Sequence, residues 1–198
     1  MKPLTETGFF REPLLLASSS PRRAEILRAV GWPFAVVSGA VDETRPANEG
    51  AVEYVRRLAQ AKAKTAALNL STGLVLGADT VVVIEGEILG QPRDADDARR
   101  MLNLLRGKWH EVLTGVALIR VAQEVQPVVD HEVTRVRFSP MSVAEIEWYV
   151  GTREPFGKAG AYGIQGQAAL FIEEIQGDYF NIVGLPIRLV FELSQRLA

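Results

Sequence analysis

Four apolar residues, Leu14 to Ala17, run directly into Ser18-Ser19-Ser20-Pro21-Arg22-Arg23. The apolar run reads as a short buried strand, and the serine–proline–arginine segment after it reads as a helix start. Ser20 suits the N-cap, and Pro21 suits the first helical position, where a missing N–H costs nothing. Ala24, Ile26, Leu27 and Val30 give this helix its apolar face, and Gly31 gives it a stop. A strand that turns so tightly into a helix sets the chain towards an α/β fold. It also gathers backbone N–H groups, three hydroxyls and two guanidinium groups where the helix already carries partial positive charge, which makes an anion site. Arginine in a first turn works against the helix, so its presence twice over points to a negative ligand.

The pattern continues in alternation. Pro33 to Val41 predicts a second strand, Asp42 to Glu49 a polar loop, and Asn48 or Glu49 the start of a long helix reaching about Leu70. Leu74 to Ile84 and Glu87 to Leu89 predict two strands joined by a turn at Glu85-Gly86. Asp94 caps a helix carrying Ala98, Met101, Leu102 and Leu105, with Gly107 after it. Trp109 to Val121 and Val128 to Phe138 predict long strands around a polar turn, and Ser142 with Glu145 forms a capping box for a helix ending near Gly151. After a loop from Thr152 to Gln165, Ala169 to Ile175 and Tyr179 to Val183 predict a hairpin around Gln176-Gly177-Asp178, and Pro186 opens a last helix. Adjacent hairpins in an α/β chain argue for a mixed β-sheet flanked by helices rather than an all-parallel one. One domain over residues 1–198, or two lobes sharing a core, fits the length.

Bulk properties exclude several functions. There is no cysteine, so disulfides, thiol nucleophiles and thiolate metal sites are out, and two histidines, His110 and His131, do not build a multi-histidine metal site. A formal net charge of −2 argues against a nucleic-acid coat, which needs basic surface. The N-terminal residues show no signal-peptide apolar core and no run reaches membrane-spanning length, so a cytoplasmic protein is expected.

Asp79 interrupts an apolar strand, with Leu74, Val75 and Leu76 before it and Val81 to Ile84 after it. A carboxylate there must be paired, bound to metal or set at a cleft, unless it caps a bulge beside Gly77. Lys62 falls on the apolar stripe of Val55, Leu58 and Ala59, whereas Lys64 points nearly the opposite way. Such a lysine snorkels past the core edge or reaches into a site. Asp42 and Glu43 lie at a strand end and offer hard oxygen ligands. His110, after Trp109 at a strand start, reads as a buried hydrogen-bonded histidine rather than a catalytic one. Far down the chain, Lys158-Ala159-Gly160-Ala161-Tyr162-Gly163-Ile164-Gln165-Gly166 supplies a Gly-rich loop with one cation and one amide. The Gln165 amide matches the carbonyl and N–H of uracil or thymine, yet a flipped amide serves cytosine equally, and a donor-only group such as Arg22 would break that tie.

Those two segments, with Gly77-Ala78-Asp79-Thr80-Val81-Val82, Leu102 to Gly115 and Asn181-Ile182-Val183-Gly184-Leu185-Pro186 between and after them, resemble the Maf family of nucleoside triphosphate pyrophosphatases. Each block is weakly specific alone; five in family order, from about Leu16 to about Leu193, are strongly specific. The resemblance implies an inosine-triphosphatase-like (Maf) architecture with a central cleft and a divalent cation, Mg or Mn. It implies catalysis by Asp79 as general base or metal holder, metal at Glu43 and Asp79, and phosphate contacts from Ser18, Ser20, Arg23, Lys62 and Lys158. In the branch acting on dTTP and UTP, the positions of Arg22, Thr80 and Gln165 form the specificity set, and this sequence keeps all three. The products would be the monophosphate and pyrophosphate, from dTTP, UTP and modified pyrimidine triphosphates, in a role that cleanses the nucleotide pool. A homodimer is implied, with no membrane and no stable nucleic-acid partner. The branch acting on 7-methylguanosine triphosphate has Ser and Glu where this chain has Ala161-Tyr162 and Gln165. That preference is one rival reading, and a non-catalytic, nucleotide-binding regulator of cell division is another. Two positions depart from the family pattern: Gln91 stands where a lysine is usual, and Gly157 where an aspartate is usual.

Overall fold

The computed structural model describes residues 12–37, 39–121 and 126–197. The leader reading of the first residues, and most of the polar turn before Val128, lie outside these. In chain order the elements are β1 (Leu14–Ala17), α1 (Pro21–Ala29), β2 (Phe34–Val37), α2 (Ala51–Ala67), β3 (Gly73–Ile84), β4 (Glu87–Leu89), α3 (Ala95–Leu105), β5 (Trp109–Val121), β6 (Val128–Phe138), α4 (Val143–Gly151), β7 (Ile172–Gln176), α5 (Tyr179–Val183) and α6 (Ile187–Arg196). The strands make one seven-stranded sheet in the order β2-β1-β3-β5-β6-β7, with β4 on β3. β1 runs parallel to β2 and β3, while β4 and β7 lie antiparallel to β3 and β6. The expected mixed sheet flanked by helices is the fold.

The chain forms two compact units. The first holds the chain up to Asp79, Gly115–His131 and the stretch from Gly184; the second holds Thr80–Thr114 and Glu132–Val183. β3, β5 and β6 each pass from one unit into the other.

In the first unit, α2 lies on the sheet with almost nothing between. A Cβ at Gly77 of β3 would stand 2.2 Å from the Ala59 carbonyl oxygen, and one at Gly115 of β5 would stand 2.2 Å from that of Val55. Only glycine permits this approach. Ala59, Ala63, Ala66, Val75, Ala117 and Ile119 fill the core around it. The second unit has its own core, built from Val82, Leu89, Met101, Leu102, Leu105, Val136, Phe138, Ile146, Tyr149 and Phe171 among others. The expected caps hold there. Asp94 accepts from the Asp97 N–H at 2.8 Å, and Ser142 and Glu145 close a capping box.

Two expectations are corrected. The second strand ends at Val37 rather than Val41, because its partner β1 has only four residues and the register closes at Ala17 with Val37. The hairpin around Gly177 does not form: β7 pairs with β6, and Tyr179–Val183 is a short helix. The Asp178 carboxylate accepts from the Phe180 N–H at 2.7 Å, a local bond that opens a helical turn. Asn181 then turns inward and donates to the Val112 carbonyl at 2.9 Å and to Thr134 Oγ1 at 3.0 Å. These polar anchors outweigh the apolar alternation that suggested a strand.

Substituting Gly77→Ala forces α2 off the sheet. It should lower stability by about 3 kcal/mol, the upper end of ordinary overpacking, read as a fall in the urea midpoint without a change in slope.

Candidate active site

The close approach at Gly77 decides what meets what in the first unit. Gly77 and Asp79 share one face of β3, since side chains alternate along a strand. Ala59 and Ala63, which touch Gly77, bracket Lys62 on α2. The Lys62 ammonium therefore reaches Asp79, donating to Oδ1 at 2.6 Å, and its second partner is Glu43 Oε1 at 2.8 Å. Both carboxylates thus converge on one cation. Glu43 comes from the polar loop before α2, and α2 itself fastens that loop. The Tyr54 hydroxyl donates to the Glu43 carbonyl at 2.9 Å, and Arg57 donates to the Thr44 carbonyl at 3.2 Å and forks onto Glu49.

The strand-to-helix turn lies in the same unit. Arg23 is only 8% exposed. Its Nε donates to the Gly184 carbonyl at 2.8 Å and its Nη1 to Ser18 Oγ at 2.9 Å, so it ties the turn to the segment before α6. Ser18 Oγ also accepts from the Ser20 N–H at 3.2 Å. The Ser20 backbone has the extended N-cap conformation, but its hydroxyl makes no capping bond. Arg22 is half-buried, and burial lowers its proton affinity against the opposing pull of Glu25.

Asp79 is 9% exposed. Burial raises its carboxyl above the ordinary carboxylate range; the charges of Lys62 and Arg23 oppose that rise, and Glu43 adds to it. Burial also lowers the proton affinity of Arg23, partly offset by Asp79, although a guanidinium stays charged. A carboxylate with raised basicity, flanked by two cations, has the properties of a general base.

The donor set also fits a hard divalent cation. Both ligands are carboxylates, and they already point at one positive centre. No cluster of three or more acidic or histidine side chains that could hold a metal occurs among the described residues. A metal here would complete its shell with water and phosphate oxygens, which is how Mg²⁺ is usually held.

Thr80, Lys158 and Gln165 belong to the second unit. Alternation sends Thr80 to the opposite face from Asp79, where its hydroxyl meets Thr114 Oγ1 at 2.9 Å. Thr114 also donates to the Asn181 carbonyl at 3.2 Å, so Thr80 donates to Thr114 in this pair. Lys158 turns its ammonium onto the Glu154 carbonyl. Gln165 is exposed.

Residues 13–197 match the family described as Maf-like protein. The chain belongs to the Maf family. It is 52% identical over 185 residues to a dTTP/UTP pyrophosphatase of Symbiobacterium thermophilum, covering 93% of this chain and 94% of the relative. A dTTP/UTP pyrophosphatase of Bacillus cereus is 50% identical over 183 residues, covering 92% and 94%. The fold is similar to that of the Staphylococcus aureus Ham1 protein, with a TM-score of 0.55 at 13% identity, covering 94% of this chain and all of that one. Among the described residues, no helix is long and apolar enough to cross a membrane.

The two departures from the Maf pattern look different in three dimensions. Gly157 has φ +73° with nothing within 4 Å of an added Cβ, so glycine relieves backbone strain there. Gln91 is exposed on the loop before α3. Several residues around the candidate site carried no sequence signal: Tyr54 and Arg57 as fasteners of the Glu43 loop, Thr114 behind Thr80, and Glu154 beside Lys158. Polar side chains on helices and loops look alike until their partners are known.

His110 is buried as expected. Its Nε2 meets the Tyr162 hydroxyl at 2.8 Å, and its ring packs edge-on to Phe138 at 5.1 Å. Burial lowers its pKa from 6.5 to about 4. The folded protein therefore keeps His110 neutral while the unfolded chain takes up a proton, and stability falls as pH drops from 6.5 towards 4. The loss should reach about 3 kcal/mol. Urea denaturation at about pH 7 and about pH 4.5 should show this slope in the wild type and a shallower one in His110→Gln.

Proposed function

We propose that this Maf chain hydrolyses dTTP and UTP, with modified pyrimidine triphosphates, to the nucleoside monophosphate and pyrophosphate. The reading is carried by Asp79, a buried carboxylate of raised basicity held between Lys62 and Arg23. Identity of about half the positions to dTTP/UTP pyrophosphatases supports it. Water adds across the α–β phosphoanhydride; its proton goes to the Asp79 carboxylate and pyrophosphate leaves. Glu43 and Asp79 would hold a divalent cation, Mg²⁺ or Mn²⁺, whose charge neutralises phosphate oxygens. Lys62 keeps the two carboxylates convergent and turns its charge towards the phosphates when they arrive. Arg23 and Lys158 neutralise further phosphate charge, with Ser18 and Ser20 at the strand-to-helix turn; positioning and charge are most of what phosphoryl chemistry requires. Arg22, Thr80 and Gln165 read the base. A pool-guarding role on such substrates would put the protein in the cytoplasm, and the homodimer implied by the family likeness is part of the same reading.

Asp79→Asn should cut turnover by about a hundredfold or more, the scale of lost acid–base help. Pyrophosphate release from UTP with Mg²⁺ or Mn²⁺ checks this, and near-normal turnover in a folded variant removes Asp79 from the mechanism. Gln165→Glu sets an acceptor against the pyrimidine carbonyl, an unpaired polar contact costing about 1–3 kcal/mol. The ratio of kcat/KM for UTP over CTP should shrink accordingly, and so should that of Arg22→Ala. If neither ratio moves, the base is read by other residues.

A further inference from the structure

The loop carrying Lys158 and Gln165 is held by one side chain that has no part in the proposed chemistry. Four residues along it have left-handed backbones: Arg153, Gly157, Gly160 and Ala161, at φ of 64°, 73°, 67° and 60°. Two of these are not glycine, so the conformation needs support from outside the local chain. Part of that support is the Gly160 N–H bond to the Gly90 carbonyl at 3.0 Å. Most of it comes from Glu154. Its Oε2 accepts from the Gln167 N–H at 2.8 Å, and its Oε1 accepts from the Tyr149 hydroxyl at 2.8 Å and from the Ala168 N–H at 3.4 Å. Its carbonyl accepts from the Lys158 ammonium. Its own N–H donates to Thr152 Oγ1 at 3.1 Å.

Glu154 thus closes the loop on itself. It grips the chain two residues after Gln165 and holds the side chain of Lys158 on the near side. The fit leaves no slack: a Cβ at Gly166 would lie 2.4 Å from Glu154 Oε2, so the residue after Gln165 must be glycine for the carboxylate to reach its amides. A Cβ at Gly163 would likewise strike the Lys158 stem at 2.7 Å. Charge-assisted bonds to backbone amides are among the stronger ones a loop can make. The anchor at the far end is firm, because Tyr149 is fully buried on α4.

We propose that Glu154 is a positioning residue for nucleotide selection: its carboxylate clasps the chain just after Gln165 so that this amide is presented in a fixed place, while its backbone carbonyl receives Lys158. This deepens, and rests on, the reading of Gln165 as a base reader and Lys158 as a phosphate ligand. Glu154 itself touches no substrate.

The test is Glu154→Gln beside Tyr149→Phe. Gln keeps the size of Glu154 but turns one acceptor into a donor facing an N–H. Tyr149→Phe removes the buried anchor of the clasp, with its bond from the Gly163 N–H, and leaves the Glu154 bonds to the Gln167 and Ala168 amides. In Glu154→Gln, the UTP over CTP ratio of kcat/KM should fall about tenfold, mainly through a higher KM for UTP, and amide exchange across residues 158–168 should accelerate. Tyr149→Phe should lower thermal stability and move the ratio and the exchange in the same direction by less, since the carboxylate keeps its amide bonds. A folded Glu154→Gln protein with the wild-type ratio and wild-type exchange overturns the proposal, as does an equal loss on every nucleotide with unchanged exchange. The exchange measurement needs no substrate, so it separates two failures. A wild type that does not favour UTP and dTTP over CTP overturns the base-reading assignment, while faster exchange in the variant still upholds the clasp and unchanged exchange removes it.

Discussion

The contact on which the first unit depends is the backbone of α2 lying against Gly77 and Gly115. It is a contact without side chains on the strand side, so it fixes the helix closely against the sheet. Everything chemical in that unit is referred to it. Two residues beyond Gly77 on the same face is Asp79; beside the alanines that touch Gly77 is Lys62. Their 2.6 Å ion pair follows from the packing rather than from attraction between two flexible side chains. The Glu43 loop is then drawn in by Tyr54 and Arg57 of the same helix. A single sheet-to-helix seam thereby positions two carboxylates and a cation that come from three separate parts of the chain.

Charge is concentrated here at some energetic cost. Asp79 and Arg23 are both buried, and each buried ion loses several kcal/mol of hydration before its partners compensate. A buried ion pair is poor evidence of stabilisation, because apolar residues of equal volume usually hold a fold as well or better. The core around Ala59, Ala63 and Val75 is apolar and could have continued through this point. That it gives way to a carboxylate, a lysine and an arginine at the end of an apolar run argues for chemistry. Raised basicity at Asp79 follows from the same desolvation that makes the arrangement expensive.

Much of this was legible in the chain itself. The strand, turn and helix around Ser20, the caps of α3 and α4, the long strands and the intrusion of Asp79 into an apolar run all rest on local rules, and local rules carried them. Lys62 stood out because its place on an apolar stripe conflicts with its charge. What failed was tertiary in origin. The length of β2 is set by β1, not by the apolar content of residues 38 to 41. The helix at Tyr179 is set by Asp178 and by Asn181 bonding to Val112 and Thr134, which are distant in sequence. The partners of Lys62, Asp79 and Glu43, were not legible, because periodicity gives the face of a helix and not the identity of what that face meets. Glu154 gave no signal, since an acid in a glycine-rich loop has no period against which to stand out.

The residues proposed for chemistry, with Arg22 on α1 and Thr80 on β3, are built differently from the loop of Lys158 and Gln165. Asp79, Lys62 and Arg23 sit on regular elements whose positions are fixed by core packing, and Glu43 is fastened to one of them. Lys158 and Gln165 sit on a loop whose shape depends on a few polar bonds and on glycines admitting close approaches. A strand or helix cannot change without disturbing its core, whereas a loop can be re-formed by altering its anchors. On the proposed reading, the share of base selection carried by Gln165 can change by re-forming this loop while Asp79 stays in place. Gly157 fits that division: at φ +73° glycine is the unstrained choice, and it eases the turn of the loop. Selectivity in such a scaffold is limited by how rigidly the loop is clasped, because an amide that wanders, or flips, offers donor and acceptor to uracil and cytosine alike.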